Sequence, residues 1–138
     1  MKDFRRKQGL PNLISLLAVV GIITLSLAPR ELRAVLRTPL PAAFEHALAY
    51  AAVGFVMAAS LRIGAWRSGL ILIPGLIVLA GLLEIAQLSV PGRNFRIGDI
   101  VGSGSGAATG VCLALALGRI IARLCAGRWL PNGQTRDM

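Results

Sequence analysis

Four apolar runs separated by short polar links, at residues 10–28, 42–61, 68–90 and 100–124, constrain this chain more than any other feature. Each is close to the roughly 20 predominantly apolar residues that carry a helix across a bilayer. Composition agrees: 55% of the 138 residues are hydrophobic, 15% are charged and the mean hydropathy is +0.70. An ordinary soluble domain is about 45–50% apolar and about 25% charged. The links leave no room for a soluble domain, and links this short make consecutive helices antiparallel neighbours. The expected fold class is all-α: an integral membrane protein, with one antiparallel bundle of four transmembrane helices over residues 10–124. Residues 1–9 read as a basic cytoplasmic tail and residues 125–138 as a second cytoplasmic tail, with 1–9 and 131–138 expected to be unstructured.

A net charge of +9 raises the question of nucleic acid, but the placement of the charges points elsewhere. With the N-terminus inside, Lys2, Arg5, Arg6, Lys7, Arg62, Arg67, Arg119, Arg123, Arg128 and Arg136 fall on the cytoplasmic side, and Arg30, Arg33, Arg37, Arg93 and Arg96 outside. That asymmetry follows the positive-inside rule and is expected to put both termini in the cytoplasm. Most of these arginines then set topology and touch lipid headgroups. The basic start, apolar stretch and Ser26-Leu27-Ala28 also resemble a signal peptide, but Pro29 at the cut and the length of the run favour a retained helix.

The cysteines are uninformative about chemistry. Cys112 and Cys125 lie about 20 Å apart along one helix, too far to pair. Cys112 is expected to be a small buried apolar residue and Cys125 an interfacial thiol. Pro74-Gly75 inside the third run is expected to bend that helix without chemistry.

Against this apolar background the polar residues stand out, because ionisable groups in hydrocarbon are costly and therefore functional by default. In an antiparallel bundle the start of the second helix, the end of the third and the start of the fourth share one face of the membrane, here the extracytoplasmic one. Glu45, His46 and Tyr50 open the second helix, Glu84 and Gln87 lie near the end of the third, Arg93 is in the Pro-Gly-Arg loop and Asp99 opens the fourth. His46 and Tyr50 are i,i+4 and Glu84 and Gln87 are i,i+3, so each pair shares a helix face. Glu84 sits about 9 Å below the loop by helical rise. It must be protonated, paired or hydrated there, with Arg93 and His46 as expected cationic partners.

Each residue also has a plainer role: Gln87 as an interhelical bridge, Arg93 on lipid phosphate, Asp99 as a helix cap. Gly102, Gly106 and Gly110 form a small-xxx-small ridge for close helix packing that would draw Asp99 against a neighbour. A metal held by His46, Glu84 and Asp99 is compatible with the sequence, but a lone histidine is thin support for it, so no metal and no cofactor is assigned.

The pattern Glu45-His46-x3-Tyr50, then Glu84-x2-Gln87-x3-Pro91-Gly92-Arg93, then Asp99-x6-Gly106-x3-Gly110 resembles the VanZ-like family of small bacterial membrane proteins. The resemblance covers about half the chain. It implies the same helical membrane architecture and an association with resistance to teicoplanin and related envelope-active agents, without an agreed biochemical activity. By position, the family's polar motif falls on His46, Tyr50, Glu84, Gln87, Arg93 and Asp99. The family often has Asp-Lys before the histidine, where this chain has Ala42-Ala43, and often Asn where this chain has Ser103. A role that needs that lysine's charge or that amide does not carry over.

Three functions are compatible with these residues. The first is an envelope accessory protein whose outer site, formed by Glu45, His46, Tyr50, Glu84, Gln87, Arg93 and Asp99, binds an anionic lipid or cell-wall precursor headgroup. The second is a membrane-embedded hydrolase or transferase on a phosphate-containing lipid, with His46, Glu84 or Asp99 as catalytic candidates. The third is a small proton-coupled transporter with a Glu84/His46/Asp99 relay. The sequence favours the first, with membrane lipids as partners, no nucleic acid and no signal of oligomeric state. The topology is checked by thiol labelling of intact cells: Arg33→Cys and Asn94→Cys should react with an impermeant reagent and Gly64→Cys should not. The reverse pattern would turn the site inward.

Overall fold

The computed structural model describes residues 2–28, 35, 39–61, 66–91 and 94–127. Among them are four helices: α1 Lys2–Ser26, α2 Ala42–Ser60, α3 Trp66–Gln87 and α4 Ile97–Gly127. Three stretches are long and apolar enough to cross a membrane, Ala42–Ser60, Gly69–Gln87 and Ile97–Ala126, while α1 contributes the shorter apolar segment Leu10–Ser26. Helices suit such a solvent because hydrocarbon offers no partner to backbone N–H and C=O groups, and a helix pairs them within itself. The Ala-rich α2 is also a strong helix former. It starts after Pro41, whose carbonyl accepts from the amides of Phe44 (2.9 Å) and Glu45 (3.1 Å), and closes with the Leu61 amide on Met57 O at 3.0 Å.

Several boundaries differ from expectation for identifiable reasons. α1 begins at Lys2, so residues expected as an unstructured tail are helical; Lys, Arg and Gln are good helix formers and extend an apolar helix into water. α3 contains Pro74 and continues through it, as a helix with a proline bend does. It ends at Gln87, where the amides of Leu88, Ser89 and Val90 fold back three residues onto Ile85, Ala86 and Gln87. α4 starts at Ile97, so Asp99 lies in its first turn rather than capping it. The Asp99 amide donates to Arg96 O at 3.0 Å, and its carboxylate still lies at the positive end of the helix dipole. Cys112 is exposed, contrary to the expected burial. It lies two residues, about 200° of helical turn, past Gly110 and so points away from the α2 seam.

α4 is the hub, packing most extensively against α2 and also against α3, while α1 lies mainly on α2. The α2–α4 contact is backbone on backbone. A Cβ at Gly102, Gly106 or Gly110 would collide with the carbonyl oxygen of Ala43, Ala47 or Ala51 respectively, and one at Gly54 would sit 2.9 Å from Ala107 O. Residue numbers rise together along this seam. Along α3–α4 they run in opposite senses, with Gly69 beside Leu115 and Ile77 beside Gly104. The core joins Ile22, Tyr50, Val53, Leu76, Ala80 and Ala107, while Ile71, Val78, Leu82, Ile85, Ile120 and Leu124 face outward. Helices apolar around their whole circumference fit a lipid surround.

Gly106→Val should therefore separate α2 from α4. Overpacking alone costs about 1–3 kcal/mol, and a rigid backbone carbonyl cannot yield as a side chain would. Gly81→Ala meets nothing within 4 Å and serves as the control. Thermal unfolding in detergent should show a large drop for Gly106→Val and none for Gly81→Ala; equal stability would discount the seam.

Candidate functional site

The seam fixes the site. His46 lies between Ala43 and Ala47 on α2, and Ser103 between Gly102 and Gly106 on α4, so the close approach of the two backbones brings their side chains into contact. The Ser103 hydroxyl donates to the Asp99 carbonyl one turn back at 2.8 Å and lies 3.5 Å from His46 Nδ1. The other imidazole nitrogen, Nε2, faces Asp99 Oδ2 at 3.9 Å. α3 closes the third side: Glu84 is 2% exposed, and its Oε2 accepts from the backbone amide of Arg96 at 3.3 Å, where the chain enters α4. One donor atom each from His46, Glu84 and Asp99 lies within 4.8 Å of the other two.

Three helices thus deliver two buried carboxyls and an imidazole to one point. Two carboxylate charges at such a separation repel by roughly 3–4 kcal/mol at an effective dielectric near 20. Positive charge must compensate, or a proton must neutralise one of them. Glu84 Oε1 and the Tyr50 hydroxyl are buried and have no hydrogen-bond partner among the described residues. Tyr50 lies one turn deeper than His46 on α2, with its ring in the core and near enough to Glu84 for an electrostatic interaction. Gln87 is as deeply buried as Glu84, one turn further along α3.

Of the residues named from sequence, His46, Glu84 and Asp99 meet directly, with Tyr50 and Gln87 buried on the same helices. Glu45 is half-buried in the first turn of α2 and is not part of the three-way contact. Arg93, one of the two expected partners of Glu84, lies outside the described residues. His46, the other, has a donor atom within 4.8 Å of Glu84, but its ion-pair contact is with Asp99.

Two contributors escaped the sequence reading. Ser103 orients the imidazole, and its position one helical turn after Asp99 was the available signal. The Arg96 amide is a main-chain donor that no side-chain pattern reveals. On sequence a metal at His46, Glu84 and Asp99 had thin support from a single histidine; among the described residues these three are the group whose donor atoms lie close enough together to hold a cation.

A nucleophilic serine does not emerge from the Ser103–His46–Asp99 proximity. The Ser103 proton is committed to the Asp99 carbonyl and the side chain is 1% exposed, whereas a serine nucleophile needs its hydroxyl on the base and open to substrate. A groove of about 250 Å³ lined by Gly69, Ile73, Val111, Cys112, Leu115 and Arg119 lies toward the opposite ends of α3 and α4 and includes none of these residues. No family model, no curated protein and no solved structure matches this chain.

Proposed function

We propose that the chain is a VanZ-like protein of the bacterial inner membrane that serves the cell envelope as a binding or accessory protein. In this reading its helices form four antiparallel crossings with both termini in the cytoplasm, and the site opens toward the extracytoplasmic side. The ligand is the anionic headgroup of a lipid or cell-wall precursor. Arg93 and Arg96 attract its phosphate, since guanidinium forks match phosphate oxygens, while Glu84, Asp99 and His46 accept from its hydroxyl or amine groups. The observation that supports this most is the meeting of His46, Glu84 and Asp99 from three helices at one buried point. An apolar bundle does not retain such a cluster for packing alone when hydrophobic residues of similar volume would often be as stable.

A binding role fits better than hydrolysis because the hydroxyl nearest the imidazole is engaged elsewhere. Expression of the chain in a susceptible bacterium should raise tolerance to an envelope-active glycopeptide or lipopeptide. Glu84→Gln and Arg93→Ala should each abolish that gain at unchanged protein levels in the membrane fraction. Loss of the protein together with the phenotype would assign Glu84 a structural role. Turnover of a lipid phosphate by the purified protein, lost in Glu84→Gln, would replace the binding reading with a hydrolase or transferase.

A further inference from the structure

Charge balance at the meeting of α2, α3 and α4 identifies a ligand of a different kind. Glu84 and Asp99 bring two carboxyls to His46, and both are buried. With both ionised, a single proton on the imidazole leaves the cluster at −1 in an apolar surround, a poor arrangement for buried charge. Two protons, or one divalent cation, restore neutrality.

The hydrogen-bond pattern favours the cation. The Ser103 hydroxyl donates to the Asp99 carbonyl, so toward His46 Nδ1 it offers a lone pair. With the ring hydrogen on Nδ1, the remaining nitrogen Nε2 is presented on the side of Asp99 Oδ2. This is the second-shell arrangement that fixes a metal-binding imidazole: one nitrogen tied by a hydrogen bond, the other presented to the ion. A proton on Glu84 Oε1 would be a buried donor with no partner among the described residues. The other oxygen, Oε2, is already an acceptor for the Arg96 amide. An unpartnered carboxylate oxygen on a residue 2% exposed is instead what a cation takes up.

We propose that His46 Nε2, Glu84 and Asp99 bind one divalent transition-metal cation of the zinc or manganese type, with Ser103 as the positioning residue for the imidazole. Ligand atoms around such an ion at about 2.0–2.2 Å stand roughly 3.3–3.6 Å apart in tetrahedral geometry. The three donors, with His46 and Asp99 at 3.9 Å and none separated by more than 4.8 Å, need to close by at most about 1.5 Å to reach that spacing. Mixed imidazole and carboxylate donors suit zinc and manganese better than magnesium or calcium, which prefer all-oxygen shells. The cation takes the three side chains that the headgroup reading uses as acceptors, which leaves Arg93 and Arg96 to the headgroup in the metal-bound chain; the test of the cation uses no headgroup.

The full chain, purified in lipid nanodiscs and stripped with chelator, is titrated with Zn²⁺ and, separately, with Mn²⁺. One equivalent should bind and raise the unfolding temperature, because a ligand specific to the folded state stabilises it. Pulsed EPR on the Mn²⁺ form should show hyperfine coupling to one imidazole nitrogen. His46→Ala and Asp99→Asn should remove that equivalent, and Ser103→Ala should weaken it by about 10–100-fold, the usual loss for a second-shell partner. Absence of saturable binding by the wild-type chain overturns the proposal. So does bound Mn²⁺ without a nitrogen coupling, a wild-type measurement that stands even if the variants fail to fold. Undiminished affinity in folded His46→Ala would place the ion elsewhere and equally defeat it.

Discussion

The contact of α4's glycines with α2's carbonyls is the constraint on which the remaining arrangement depends. Gly102, Gly106 and Gly110 present no side chain to Ala43, Ala47 and Ala51, so the two backbones approach to a distance that a Cβ would forbid. In lipid this is how helices gain attraction, because apolar side chains are as well solvated by acyl chains as by each other. The seam has a second effect. It fixes the rotation of both helices, and with it the direction of every residue beside the stripe, so His46 and Ser103 face each other across the same interface. A wider separation would leave the imidazole without its hydroxyl partner and Asp99 remote from it.

The polar cluster in turn works against the seam. Burying two carboxyls near one another is unfavourable unless positive charge and hydrogen bonds answer them. The described answers are few: the Arg96 amide on Glu84, the imidazole near Asp99 and the dipole at the start of α4. α3 is held at its end by the Glu84–Arg96 contact, a link between a buried side chain and the main chain where α4 begins. The apolar contacts of Ile77 with Gly104 and of Gly69 with Leu115 hold the rest of its length. The bundle is therefore packed by small residues through its middle and organised by polarity at one end.

Much of this was legible in the sequence, for physical reasons that differ by element. α2, read as 42–61, ends one residue earlier, because an apolar run bounded by Pro41 and a polar link has clear edges. The convergence of His46, Glu84 and Asp99 followed from helix order and from the high cost of polar groups in hydrocarbon. What escaped depends on continuation and rotation. Polar helix formers carried α1 back to Lys2 and an early start carried α4 past the expected cap, since neither boundary is marked by an apolarity change. Cys112 was misplaced because hydrophobicity in a membrane helix does not distinguish the lipid face from the protein face. Ser103 looked like a departure from a family pattern, and only the fold gives it a partner.

The seam also determines where α4 ends relative to its neighbours. Each glycine and its alanine partner differ by 59 positions, at Gly102 and Ala43, Gly106 and Ala47, and Gly110 and Ala51. Extended along the helices, that offset sets Arg119 level with Ser60, the last residue of α2. At about 1.5 Å per residue α4 is roughly 46 Å long, against a hydrocarbon layer near 30 Å. By the same offset its first four residues precede the level of Ala42 and its last eight run on past Ser60. Arg119 is level with the end of α2 and Arg123 stands one turn beyond it, both exposed. The last two turns of α4 thus run on past the end of α2 with Arg123 exposed, and a guanidinium held in water resists the sinking of its helix into an apolar layer.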